Sequence, residues 1–273
     1  MSENFRKEIT NTLINYTKHN HIFLTQRGNK SILTALKIAK EVNPKNFILV
    51  PDQGGWLTHL QYPNKLKFVI KRLKTDYGIL DLKELEKNTK DASALVFENP
   101  AGYFAEQPLK EIYSICKKND CLVILDASGS VGSELCNGNY ADMIVASFGR
   151  WKPINLEYGG FISFNNENFL IKDILKELEF DESKRGELLL KLRNVGNRYN
   201  NFQTINKKIK SDLKNYSILH ADKKGINVVI RFGSEKEKDD IISYCEKNKY
   251  QFLICPSYIR VNEHAVSIEV KRS

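Results

Sequence analysis

Three side chains within residues 122–163 have the types and spacing for covalent amine chemistry. Asp126 closes the apolar run 122–125, Ser147 closes a second run, 143–146, and Lys152 follows in a loop ended by Gly159 and Gly160. A lysine amine condenses with an aldehyde, and a carboxylate keeps a ring nitrogen protonated. A carboxylate, a hydroxyl and a lysine meeting at strand ends therefore suit pyridoxal phosphate (PLP). Taken singly, each has a plainer reading: Lys152 as a solvated loop cation, Asp126 as a helix cap.

The elements that must deliver these groups are legible in the patterning. Apolar runs at 22–25, 47–50, 67–70 and 94–97 read as strands. Residues 2–18, the stretch after Gly28, residues 81–88 and residues 109–118 read as helices. Strands alternating with helices, several of them apolar throughout, predict a parallel sheet covered on both faces. In such sheets ligands sit beyond the carboxyl ends of the strands. Gly28, Trp56, Asn99, Asp126 and Ser147 all fall just past predicted strand ends. At Gly28 a strand, a glycine turn and a helix start present free N–H groups and a positive dipole end, which suits a phosphate. An ordinary strand-to-helix turn has the same pattern. Trp56 after Gly54-Gly55 is either core or a flat cover for a ring.

Beyond Phe164 the pattern changes. Residues 165–178, 182–193 and 205–213 read as helices, 228–232 as a strand, 235–248 as a helix, and 252–255 and 266–270 as strands. The expected organisation is an N-terminal helix at 1–20, a large cofactor-binding domain at 21–165, connecting helices at 166–215 and a small C-terminal α+β domain at 216–273.

The chain has 273 residues, enough for a full core, and 41% hydrophobic content argues against global disorder. Five cysteines without a CxxC pair make neither a disulfide framework nor a zinc site, and with no signal peptide they suggest reduced thiols in the cytoplasm. No metal site is expected. No apolar run approaches a membrane span. The net charge of +9 is spread over helix-like stretches such as 207–214, which favours solvated helix faces over a nucleic-acid surface.

With these residues in place, the chain resembles the aspartate-aminotransferase fold of PLP enzymes, fold type I, over most of residues 20–165. RGNKSILTAL is similar to the SGTAALxLAL phosphate loop and helix of the DegT-like nucleotide-sugar aminotransferases. Ser147-Phe148, Lys152 and Gly159-Gly160 match that group's SFxxxK…GG spacing, and Asn99-Pro100-Ala101-Gly102 is similar to the NPxG element. The segment from Asp126 to Gly132 is also similar to the cysteine-desulfurase branch. The resemblance implies a three-layer α/β sandwich around a mostly parallel sheet, with a small C-terminal α+β domain, assembled as a homodimer. It implies a Schiff base on Lys152, Asp126 on the pyridinium nitrogen, Asn99 on the phenolate oxygen and Trp56 stacked on the ring. Gly28, Asn29, Ser147 and the Lys30 N–H would hold the phosphate. Four positions depart from the family pattern. Arg27 and Asn29 replace a serine and a threonine, Gly129 stands where many relatives have His or Gln, and Trp151 precedes Lys152 where the desulfurases have His.

The leading expectation is an aminotransferase moving an amino group between an amino acid and a keto or sugar acceptor, with Arg150, Arg231, Arg260 or Arg272 as the cation for a substrate anion. A lyase or desulfurase needs a mobile thiol, for which Cys255 is the candidate. A shortened, non-catalytic binding protein is the third possibility.

Overall fold

Alternate residues of a strand point to opposite faces, so a sheet of wholly apolar strands needs helices on both sides. The computed structural model, which describes residues 2–273, meets that demand. The chain begins with helix α1 (Ser2–Thr17), strand β1 (His21–Thr25), α2 (Gly28–Val42), β2 (Phe47–Pro51), α3 (Thr58–Lys65) and β3 (Val69–Leu73). A short ribbon, β4 (Thr75–Asp76) and β5 (Ile79–Leu80), leads to α4 (Leu82–Asn88) and β6 (Ala92–Glu98). Then come α5 (Leu109–Lys117), β7 (Leu122–Asp126), β8 (Met143–Ser147) and β9 (Gly160–Phe164). The rest is α6 (Lys172–Leu175), α7 (Arg185–Asp212), β10 (Ser217–Ile218), β11 (Val228–Arg231), α8 (Glu235–Lys247), β12 (Phe252–Cys255) and β13 (Ala265–Ile268).

The main sheet has seven strands in the order β1-β9-β8-β7-β6-β2-β3. Strands β8, β7, β6, β2 and β3 are parallel, while β9 runs antiparallel to both of its neighbours. In β6, Leu95 and Phe97 face one core, with Leu85 of α4, Ile112 of α5, Leu13 of α1 and Leu192 of α7. Ala94 and Val96 face the other, with Ile32, Leu36 and Ala39 of α2. Three layers result, as the strand pattern predicted.

A second sheet, β10-β11-β13-β12, is antiparallel. One face packs on Tyr199, Phe202 and Ile209 of α7 and Ile241 of α8. The other covers Phe104 and Ala105, in the turn after β6. The small sheet thus bears on the carboxyl edge of the large one. Among the described residues no helix is long and apolar enough to cross a membrane.

Several expected elements differ. Helices predicted at 182–193 and 205–213 are one 28-residue helix, α7, because no proline interrupts it and Val195, Tyr199 and Phe202 continue the buried stripe. The helix predicted at 165–178 is reduced to a short turn, Glu167–Phe169, and the single turn of α6. Asn166 closes that turn with its side chain on the Asn168 N–H, and Phe169 is drawn edge-on against Phe164 at 5.6 Å. Strand β3 starts two residues later than the apolar run 67–70 suggests, at Val69. Helix α3 had no clear sequence signal, since Pro63 sits inside it.

Candidate active site

Asp126 and Ser147 are the last residues of β7 and β8, and Gly28 opens α2 directly after β1. One cleft at this edge is lined by Gly28, Asn29, Trp56, Asp126, Ser147 and Lys152, joined by Tyr103 and Ser128. Six of the eight residues predicted for the site therefore share one cavity.

Local geometry explains the sequence at two glycines. A Cβ on Gly28 would stand 2.4 Å from the Ser147 Cβ, so only glycine lets α2 begin against the end of β8. As the first residues of α2, Gly28 and Asn29 have no intrahelical acceptor for their N–H groups. These donors, the helix dipole and the Ser147 hydroxyl form an anion-binding corner. At Gly129 a Cβ would meet Tyr103 Cδ1 at 2.7 Å. The departure from His or Gln there has a physical reason, because the Tyr103 ring occupies the space.

Lys152 is half-buried at the edge of the cleft. Its Nζ hydrogen-bonds the Tyr103 hydroxyl and lies 5.6 Å from the centre of the Trp56 ring. Burial lowers the pKa of its amine, against the opposing pull of Glu98 and Asp126. A larger share of reactive neutral amine at moderate pH follows. Asp126 is 2% exposed. Burial works against its charge, but bonds from His59 and Ser128 outweigh that and hold the carboxyl below the usual range. His59 Nε2 lies 3.1 Å from Oδ2 of Asp126, and the Ser128 N–H donates to Oδ1 at 2.9 Å. The Trp56 indole N–H donates to Asn29 Oδ1 at 2.9 Å, which fixes the ring plane over the cleft mouth.

Two expected residues are not brought in. Asn99 is buried with its amide donating to the Leu135 carbonyl at 3.0 Å and its oxygen accepting from the Gln107 N–H at 2.9 Å. It shapes the turn after β6, and the side chain that this turn presents to the cleft is Tyr103. Lys30 donates its N–H to the Arg27 carbonyl at 2.9 Å, and its Nζ pairs with Glu177 at 2.8 Å. The backbone N–H expected to reach the phosphate is therefore already engaged within the turn.

Sequence reasoning missed Tyr103, His59 and Glu98. Tyr103 follows the NPAG turn directly, a position that was a usable signal. His59 lies on α3, whose existence the pattern did not show. Glu98 closes the apolar run 94–97, in register with Asp126.

A family model described as the DegT/DnrJ/EryC1/StrS aminotransferase family matches residues 2–207, and one described as the MJ1341 family C-terminal domain matches residues 196–272. No curated protein matches the sequence. Among solved structures, the chain is similar to NtdA from Bacillus subtilis with bound cofactor PMP, at 14% identity, covering 97% of this chain and 72% of that one with a TM-score of 0.78. It is similar to 3-amino-5-hydroxybenzoic acid synthase at 12% identity, 98% and 85% coverage and a TM-score of 0.76. An apo cysteine desulfurase from Thermococcus onnurineus matches at 13% identity, 100% and 81% coverage and a TM-score of 0.73. At such identities the likeness shows the fold, that of PLP enzymes of fold type I.

Proposed function

Because the chain belongs to the DegT/DnrJ/EryC1/StrS aminotransferase family and is thereby a PLP-dependent transferase, we propose that it moves an amino group between an amino acid and a carbonyl acceptor at the Lys152–Asp126 cleft. The observation that carries this reading is the placement of the Lys152 amine, its pKa lowered, in the same cleft as a carboxylate held ionised. The residues present fit PLP. An anion corner lies at Gly28, Asn29 and Ser147, a flat indole lies opposite, and a charged carboxylate lies deep between them.

When bound, PLP supplies an aldehyde that condenses with amines and a ring that withdraws electrons from the carbon next to nitrogen. Lys152 is the amine that attaches the cofactor and, once displaced, the base that takes and returns a proton at that carbon. Asp126 keeps the ring nitrogen protonated, and His59 behind it preserves the carboxylate charge. Gly28, Asn29 and Ser147 orient the cofactor through its phosphate, and Trp56 excludes water from the ring face. Ser147→Ala is expected to weaken PLP binding about tenfold or more, since a hydrogen bond to a charged group contributes about 1.5–3 kcal/mol. Titration of PLP against tryptophan fluorescence reads this directly.

For the substrate anion, Arg150 suits a place beside the lysine loop better than Arg272, whose Nε lies 3.5 Å from Glu269 Oε2. Their guanidinium groups lie 4.8 and 4.2 Å from the Trp151 ring. Arg260 is engaged by Glu269 and the Ile259 carbonyl, and Arg231 by the Tyr77 hydroxyl. An open groove continues from Gly28 and Trp56 past Arg27 and Tyr158, and the family resemblance favours a homodimer. The cytoplasm is the compartment that suits its five free, buried cysteines.

A desulfurase would need an exposed, low-pKa thiol. Cys255 is 1% exposed and burial pushes its thiol up, which disfavours that reading. Incubating the PLP-loaded protein with single amino acids tests the proposal. Conversion to the pyridoxamine form with release of a keto acid supports it, and release of sulfide or ammonia without that conversion sinks it.

A further inference from the structure

Two carboxyl groups end adjacent strands here, and only one has a role so far. Glu98 of β6 is the register partner of Asp126 on β7 and is 1% exposed. Asp126 has His59 and Ser128 as partners, whereas Oε1 of Glu98 has none among the described residues. A buried carboxyl oxygen without a hydrogen-bond partner is costly to keep ionised, so it needs either a proton or a role.

The group next to it is Tyr103. Its hydroxyl hydrogen-bonds Lys152 Nζ and also faces the Glu98 carboxyl. The ring is clamped from three sides. Lys271 Nζ lies 3.6 Å and the Arg260 guanidinium 5.0 Å from its centre, and Gly129 leaves no slack on the remaining side. The hydroxyl is thereby held between the Glu98 acid and the reactive amine.

We propose that Glu98 is the proton reservoir of Lys152, connected to it through the Tyr103 hydroxyl. The Glu98 O–H gives its proton to the Tyr103 oxygen as the Tyr103 O–H gives its own to the Lys152 lone pair. Glu98 is left as carboxylate, Lys152 as ammonium and Tyr103 unchanged, and the reverse step restores all three. No other reactant is required. Glu98 acts through Tyr103 and is a positioning residue.

Electrostatics supports the arrangement. Burial, and then the charge of Asp126, push the Glu98 carboxyl up to about 7, against the opposing influence of Lys152, Tyr103 and His59. From the small sheet side, Arg260, Lys271 and Tyr258 also feel its charge. An acid that titrates near the working pH transfers protons most effectively in both directions.

The inference rests on Lys152 being the reactive amine, and the test separates the two. In PLP-free protein, infrared pH titration should show one buried carboxylic-acid band disappearing with a midpoint near 7, and Glu98→Gln should remove it. In the loaded enzyme, the limb of the kcat/KM profile near that pH should vanish in Glu98→Gln, with kcat/KM reduced about 10²-fold. Tyr103→Phe leaves the acid in place and cuts the connection. It should keep the infrared band and lose the limb, so the inference stays testable if Glu98→Gln folds poorly. Absence of a carboxyl titrating near 7 in the PLP-free protein, or a Tyr103→Phe profile with the limb intact, overturns the reservoir. Borohydride labelling that misses Lys152 overturns the reading of the amine instead.

Discussion

Replacing Lys152 by alanine is expected to lower kcat/KM by about 10²–10⁴-fold, the usual contribution of a positioned acid–base group. The protein should still take up PLP through the Gly28 and Ser147 corner, because those contacts do not involve the lysine. What it loses is the visible band of cofactor attached to an amine. Added ethylamine is expected to restore part of the rate, since it supplies a free amine to a cleft that keeps its shape. Rescue of this kind separates loss of the amine from damage to the fold. A variant with wild-type kcat/KM would show that Lys152 is not the reacting group.

The second large effect concerns stability. Glu269, 1% exposed, accepts from Arg260 Nε at 2.9 Å and Nη2 at 2.7 Å, and lies 3.1 Å from Lys271 Nζ. Ser267 and Asn227 complete its shell. Glu269→Gln leaves buried cations facing a neutral amide, and removing one partner of a buried ion pair costs about 3–5 kcal/mol. Denaturant unfolding checks this. Its pH dependence has a definite sign. Burial opposes the charge of Glu269, but Lys271 and Arg260 outweigh burial and hold its pKa well below the ordinary carboxyl range. The stabilisation is therefore present in full above the unfolded value of about 4.3 and is lost as pH falls from there towards the depressed folded value. Glu269→Gln should flatten that acid limb. Lys271, its pKa lowered by burial and then by Arg260, also touches Tyr103, so loosening this cluster is expected to disturb the Lys152 hydroxyl partner too.

The parts of this account that were legible in the sequence share a physical cause. Apolar runs must be strands buried on both faces, and such strands place their last residues at one edge. Asp126, Ser147 and Lys152 were visible for that reason, and the family resemblance rested on the same residues. Glu98 and His59 were hidden because their meaning lies across the sheet. Glu98 matters through its register with Asp126, and His59 through a short helix that Pro63 disguised. Asn99 shows the reverse error, a residue of the right type whose side chain the turn itself consumes. α7 was read as two helices with a gap at 194–204, where Gly196 and several asparagines stand, while packing against both sheets keeps the helix continuous.

The most direct test of the Lys152 assignment is borohydride reduction of the PLP-loaded protein followed by peptide mapping. A single phosphopyridoxyl adduct on the peptide containing Lys152 is the predicted result. The competitor is Lys271, which is buried and also against Tyr103. An adduct there, or label spread over surface lysines with Lys152 unmodified, would contradict the account.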